Sequence, residues 1–141
     1  MIPVRDTSKM IRAMNPRLCA GAWVFCTFAS GDTRIATVQD KALAMMREPE
    51  GLSLLLAQET ATALGFPADP AMVHILLGAA SALDGVGLTA AVSGVLAEQN
   101  IPCNIIAGAV HDHIFVPQSR GPEALAVLEA RARAQGAAGR Q

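Results

Sequence analysis

Hydrophobic and polar positions follow two different periods between Met72 and Pro117. Met72 to Leu77 is a short apolar run rich in β-branched residues that follows two prolines, which predicts a buried strand. From Leu88 the apolar residues recur at i, i+3, i+4, i+7 and i+8, the stripe of a helix that packs on a sheet. Cys103 to Ala109 and His113 to Val116 are two more apolar segments with a short separation, which predicts a β-hairpin.

A second helix is predicted from Pro122 to about Ala134, after the hairpin. Strand, helix, strand, strand and helix form a βαββα series, which lacks only the last strand of the ferredoxin-like βαββαβ arrangement. The predicted fold class is therefore α+β.

The N-terminal residues predict a short helix and a strand. Asp6 or Thr7 can cap the helix, because a side-chain oxygen can accept from the unpaired N–H groups of the first turn, and Pro16 ends it. Ala20 to Phe28 predicts a strand with apolar residues on both faces. Both faces of this strand should then be covered.

Two segments of the C-terminal half resemble a known family. Asp84-Gly85-Val86-Gly87-Leu88 resembles the Asp-x-x-Gly-Leu loop between the first strand and first helix of ACT domains. Asn100 to Ile105 is similar to their Gly-Ile-Asn-Ile entry into the second strand, although Asn replaces Gly and two residues intervene. Val86 to Val92 and His111 to Pro117 resemble more narrowly the small bacterial tandem-ACT proteins of unassigned function.

The resemblance implies two ACT-like lobes of ferredoxin-like fold, each with an antiparallel sheet and helices on one face. We expect the lobes at residues 1–67 and 68–135, followed by a disordered tail at 136–141. Thr33 to Glu48 gives a mixed pattern, because its later residues favour a helix by propensity whereas the resemblance implies a strand that ends near Arg47. Leu52 to Leu56 then predicts a strand, and Gln58 to Leu64 a short helix. The first half is thus predicted as βββα.

The loop before the Leu88 helix is the candidate ligand site. Gly85 and Gly87 allow the backbone to approach a ligand, and the N–H groups that open the helix can hold a carboxylate. Asp84 can accept from an ammonium group, but ordinary helix capping explains this residue equally well. The resemblance implies an effector site that also includes the start of the second strand. The expected ligand-binding residues are Asp84, Gly85, Val86, Gly87, Leu88, Asn104 and Ile105.

His111-Asp112-His113 is a second candidate cluster. On one strand, His-x-His would project both imidazoles to the same face, a spacing that metal sites use. A polar turn explains the same residues without a metal, and a kink there would send the rings apart. We therefore expect no metal site, and we interpret His74 as a strand histidine at an interface.

Composition narrows the classes of partner. Hydrophobic residues make up 52% of the 141 residues and charged residues 16%, so we expect a homo-oligomer that covers apolar surface. The net charge of -1 and the lack of any basic cluster argue against nucleic acid. No secretory signal or membrane-length apolar run is visible, and three cysteines without metal or redox spacing favour the cytoplasm.

The preferred functional hypothesis is a regulatory module of the ACT type that binds a small metabolite, an amino acid by class, without catalysis of its own. No catalytic motif or cofactor motif is recognisable. Any regulated target would be a separate protein. The alternatives are a metal-dependent enzyme that uses His111 and His113, and a purely structural oligomerisation module.

Overall fold

The computed structural model describes residues 6–79 and 82–138. Within them the chain forms two compact units. One is Gly21–Met72, which we name the inserted unit. The other contains the described residues that precede and follow it in sequence, and we name it the terminal unit.

The described residues contain five α-helices and seven β-strands. The helices are α1 (Thr7–Arg12), α2 (Ile35–Val38), α3 (Gln58–Ala63), α4 (Leu88–Glu98) and α5 (Gly121–Ala138). The strands are β1 (Pro16–Leu18), β2 (Trp23–Phe28), β3 (Ala44–Glu48), β4 (Gly51–Ala57), β5 (Met72–Leu77), β6 (Asn104–Ala107) and β7 (Asp112–Pro117).

The terminal unit begins with α1, whose start is set by a side-chain cap. The Asp6 carboxylate accepts a hydrogen bond from the Lys9 N–H at 2.9 Å. It thereby satisfies a first-turn donor that has no partner within the helix. The predicted cap and the short helix that ends before Pro16 are both confirmed.

The sheet of the terminal unit has the strand order β1, β5, β7, β6. β6 and β7 form the predicted antiparallel hairpin, in which Ala107 lies opposite Asp112. β1 is antiparallel to β5, with Pro16 opposite Leu77. β1 therefore occupies the edge position of the last strand in a βαββαβ arrangement. The N-terminal segment thus completes the series that the sequence predicted to lack one strand.

Helices α1, α4 and α5 cover one face of this sheet. Ile75 and Leu77 of β5 and Ile114 and Val116 of β7 alternate along their strands and face these helices. The predicted apolar stripe on α4 is confirmed. The buried core of the unit consists of Met10, Ile11, Met14, Ile75, Leu77, Leu88, Val92, Leu96, Ile101, Ile114, Val116, Ala124 and Leu128.

Residues 6–20 pack differently from the sequence prediction, which placed them in an N-terminal lobe at 1–67. Met10, Ile11 and Met14 share their core with β5, β7, α4 and α5. The apolar face of α1 shows that the helix is buried, but it contains no information about which sheet it covers. The segment therefore belongs with residues that are distant in sequence.

The inserted unit contains an antiparallel sheet in the order β3, β4, β2. Val24, Cys26 and Phe28 alternate along β2 and face the core, where α2 and α3 pack. The buried residues of this unit's core are Val24, Cys26, Phe28, Val38, Leu54, Leu56, Ala61 and Ala71.

Arg34 connects the loop after β2 to the end of α3. Its guanidinium forms a salt bridge with Asp32 at 2.8 Å and donates to the Leu64 carbonyl oxygen at 3.0 Å. The same group lies over the rings of Phe28 and Phe66, 5.4 and 5.5 Å from their centroids. These bonds hold the loop in place within the inserted unit.

Sequence and structure differ at several elements of the first half. The strand predicted to end near Arg47 is confirmed as β3, so pairing with β4 overrides the helix propensity of its residues. The βββα prediction missed α2, which lies between β2 and β3. The strand predicted from Ala20 starts only at Trp23, and its Phe25 side chain is 46% exposed rather than covered within the chain.

The C-terminal helix is longer than predicted. α5 continues to Ala138 rather than ending near Ala134, so the expected disordered tail is helical in its first three residues. Ala and Gln in this segment have sufficient helix propensity, and one glycine does not interrupt them. The rest of the predicted tail, residues 139–141, lies outside the described residues, as do residues 1–5, 80 and 81.

Candidate ligand-binding site

The loop between β5 and α4 ends in a glycine-capped helix start. Gly87 is the N-cap residue with a φ of 105°, in the left-handed region that favours glycine. As a glycine, this N-cap residue has no side chain that could form a capping hydrogen bond. The N-cap position is therefore taken by Gly87, three residues after Asp84. The first-turn N–H groups of α4 have no partner within the helix and lie at the positive end of its dipole.

A cavity of about 160 Å³ lies beside this helix start. Its wall combines the loop, the first turn of α4, the end of α1 and the turn of the β6–β7 hairpin. Asp112 contributes a carboxylate from the hairpin side, where it lies opposite Ala107. The lining residues are Met10, Ala82, Leu83, Gly85, Gly87, Leu88, Thr89, Ala107 and Asp112. Helix-start donors and a carboxylate thus lie in the wall of one small cavity.

The two loop glycines lie close to side chains of α1. A Cβ at Gly87 would lie 2.6 Å from the Thr7 Cγ2 atom, and one at Gly85 would lie 3.0 Å from the Met10 Sδ atom. The Thr7 hydroxyl also donates to the Val86 carbonyl oxygen. The sequence suggested that these glycines make room for a ligand. In the structure they line the cavity and also lie against α1.

The structure brings together only some of the predicted ligand-binding residues. Gly85, Gly87 and Leu88 line the cavity. Asp84 and Val86 are exposed on the same loop and do not line it. Asn104 and Ile105 stand at the other end of β6 from Ala107, a separation of about 7 to 10 Å at strand spacing.

Six lining residues were not predicted from the sequence: Met10, Ala82, Leu83, Thr89, Ala107 and Asp112. The hairpin prediction contained a signal for the last two, because residues that flank a tight turn lie at the same end of the strands. Thr89 follows Leu88 in the first turn of the predicted helix. Met10 is far away in sequence, and nothing in its local pattern connects it to the loop.

His74 and His113 form a closely packed pair on β5 and β7. The His74 Nε2 and His113 Nδ1 atoms are 2.9 Å apart, and the rings stack with centroids 5.0 Å apart. The Phe115 ring also stacks on the His74 ring, with centroids 5.0 Å apart. His74 is only 7% exposed. One proton between the two nitrogens satisfies both, so the neutral pair is the stable form.

The surroundings of both imidazoles oppose their protonation. Burial lowers the pKa of His74 below its ordinary value of 6.5, and the neighbouring His113 lowers it further. Burial and then His111 lower the pKa of His113, while the Asp112 carboxylate acts in the opposite direction. The folded state therefore binds protons less readily than the unfolded chain.

The structure gives the His-x-His cluster a different arrangement from a metal site. His113 pairs with His74, and the buried Nδ1 atom of His111 has no hydrogen-bond partner among the described residues. In residues 6–79 and 82–138, no three His, Cys, Asp or Glu side chains come together in a group that could hold a metal ion. His74 lies in a strand, as expected, but its partner was not foreseen.

Stability should fall as the pH drops through and below 6.5. Unfolded histidines take up protons from about pH 6.5 downward, whereas burial and mutual contact oppose protonation of the folded pair. Urea unfolding at several pH values between 7.5 and 5 measures this loss. The variant His74→Gln/His113→Gln should show a flatter profile, and His111→Gln should keep most of the wild-type slope. An identical slope in the double variant would contradict the assignment.

The terminal unit has the arrangement of a small ferredoxin-like binding domain, with a cavity where its first strand leads into its first helix. Comparison with known families identifies the class. Two family models described as "ACT domain" match the chain, one at residues 3–72 and the other at residues 72–130. The chain belongs to the ACT-domain family and carries two such domains in tandem.

Solved structures agree with this assignment. A protein of unknown function from Vibrio cholerae, described as a possible transport protein, is 38% identical, with a TM-score of 0.78. The match covers 89% of this chain and 94% of that protein. The regulatory subunit of aspartate kinase from Thermus flavus is 9% identical with a TM-score of 0.58, covering 84% and 97% of the two chains. This second likeness shows the shared fold.

Aspartokinase alpha and beta subunits are similar in fold as well, at 10% identity and a TM-score of 0.59, with 84% of this chain and 97% of theirs covered. A search of curated proteins finds no significant match. Among the described residues, no helix combines the length and hydropathy needed to cross a membrane. Family and fold together define a module of the ligand-binding regulatory type.

Proposed function

We propose that the protein binds a small zwitterionic metabolite, an amino acid by class, in the cavity beside the start of α4. The observation that carries this proposal is that two kinds of polar group, backbone donors and an acidic side chain, lie in the wall of the same cavity. The helix start offers backbone donors to a carboxylate, and Asp112 offers a carboxylate to an ammonium group. Their combination suits the two charged ends of an α-amino acid.

The proposal assigns the protein a regulatory role without catalysis of its own. One structure with the same fold is a regulatory subunit of aspartate kinase, and another contains the alpha and beta subunits of aspartokinase. Both support this role by analogy. The regulated target would be a separate protein that responds to the occupied state. The metal-dependent enzyme that the sequence left open has no supporting ligand group in the described residues.

Self-association is part of the same proposal. Phe25 and Met46 are 46% and 63% exposed on one face of the inserted unit, and Leu83 and Val86 are 73% and 76% exposed on the cavity loop. The exposure of these large apolar side chains favours a second copy of this chain, or another protein, that covers them.

We also propose a cytoplasmic location, since all three cysteines are unpaired thiols.

A screen of the twenty amino acids by thermal shift, followed by calorimetric titration of each hit, tests the site. Asp112→Asn should weaken binding about 10- to 100-fold, because a charge-assisted hydrogen bond contributes roughly 1.5–3 kcal/mol. Asp84→Asn is the matched control, since Asp84 lies on the same loop but does not line the cavity. It should bind the amino acid within about twofold of the wild type.

A second titration tests whether Asp112 acts on the ammonium group of the ligand. The 2-hydroxy acid analogue of the hit has no ammonium, so Asp112→Asn should not weaken its already poor binding. If Asp84→Asn rather than Asp112→Asn reduces amino-acid affinity, the sequence-based site is right and the cavity assignment is wrong. Equal affinity in both variants and the wild type would place the ligand elsewhere.

A further inference from the structure

Helix α1 forms one wall of the cavity rather than a separate N-terminal element. Its Thr7 side chain contacts Gly87 and donates to the Val86 carbonyl oxygen. One turn later, Met10 reaches Gly85 and lines the cavity. The spacing of three residues places both side chains on the same face of α1.

Met10 and Leu83 are two cavity-lining side chains of very different exposure. The Met10 side chain is 2% exposed and belongs to the core of the terminal unit, whereas Leu83 is 73% exposed. Met10 therefore belongs to the buried part of the lining and Leu83 to the exposed part. The cavity volume of about 160 Å³ is below the roughly 300–1,000 Å³ of typical small-molecule pockets.

We propose that α1 sets the size limit of this site, with the Met10 side chain as the wall that excludes long ligand side chains. The inference rests on the proposed function and narrows its substrate class to amino acids, or zwitterions like them, with side chains as short as those of glycine, alanine and serine. Met10 acts through volume at the buried end. The charged ends of the ligand are held by the start of α4 and by Asp112.

The arrangement explains why α1 and the loop approach so closely. Glycines at 85 and 87 permit contact distances that a Cβ would prevent. The loop is thereby pressed against Thr7 and Met10, and little space remains behind it. A methionine is unbranched and adaptable, so it fills the remaining gap closely.

Titration of the wild type, Met10→Ala and Met14→Ala with a fixed panel of amino acids tests the inference. The panel contains glycine, alanine and serine as short ligands and leucine, methionine and phenylalanine as long ones. Met14→Ala is the matched control, because Met14 is equally buried in the same core but does not line the cavity. Both variants remove the same atoms, so a general loss of packing affects them alike.

The wild type should bind a short ligand and bind the long ones at least tenfold more weakly. Met10→Ala should bind leucine or methionine at least tenfold more tightly than the wild type does, and Met14→Ala should keep the wild-type order. Met10→Val, which removes less volume, should show a smaller gain and serves if the alanine variant does not fold.

Three results overturn the inference, and they differ in what else they imply. Wild-type binding of leucine as tight as that of alanine removes the size limit but leaves the ligand site intact. An unchanged ligand order in folded Met10 variants shows that another residue forms the wall. No binding of any panel member to any variant removes the proposed function together with the inference.

Discussion

Replacing Gly51 with alanine is expected to destabilise the inserted unit by on the order of 3 kcal/mol or more. Gly51 begins β4 with a φ of +147°, and a Cβ there would lie 2.1 Å from the Phe28 carbonyl oxygen. Because that oxygen is backbone in a neighbouring strand, it cannot rotate away as a side chain would. Relief of the clash requires separation of β2 from β4.

Urea or thermal unfolding, followed by circular dichroism, measures the effect. Gly65→Ala is the matched control, because Gly65 also has a positive φ, of +88°, but a Cβ there would meet nothing within 4 Å. It should cost only about 1 kcal/mol, from backbone strain alone. Comparable losses in the two variants would show that the contact with Phe28 is not the cause.

Removal of residues 1–19 is expected to prevent cooperative folding of the terminal unit. The deletion removes α1, β1 and the buried side chains of Met10, Ile11 and Met14. At roughly 1.5–3 kcal/mol for each buried side chain, these three alone contribute about 5–9 kcal/mol. That amount is comparable to the whole stability of a small domain.

Hydrogen exchange resolves this outcome by element. Amides of β5, β7 and α4 should lose their protection in the shortened chain, and a separate peptide of residues 1–20 should restore it. The variant Lys9→Ala/Arg12→Ala, which changes only exposed positions of α1, should unfold within about 0.5 kcal/mol of the wild type. Undiminished protection after the deletion would disprove the role assigned to the N-terminal segment.

Local pattern was sufficient for most elements of the C-terminal half. The apolar stripe from Leu88 and the paired runs of the hairpin have strict periodicity, so α4, β6 and β7 were predicted at nearly their observed positions. β1 was missed because it has only three residues, of which the first is a proline, and these are too few to show alternation. α2 was missed because it has only four residues, fewer than periodicity can reveal.

The candidate site was predicted in position but not in composition. The Asp84 to Leu88 loop is adjacent to the cavity, and its glycines have a structural purpose that the sequence could not show. Contacts that depend on long-range packing, Met10 with Gly85 and His74 with His113, join residues far apart in the chain. Neither contact leaves a local signal, since each side chain alone fits an ordinary helix or strand.

The position of β1 in the sheet of the terminal unit has a consequence for biosynthesis. The strand that completes this sheet leaves the ribosome before the inserted unit, and α5 leaves it after every other element. At about 5–20 residues per second, residues 6–20 wait roughly 6–24 s for the last of their partners. The inserted unit, which is continuous in sequence, can fold during this interval. Translation thus imposes an order on the two units, and the apolar face of α1 stays without part of its core until α5 has been synthesised.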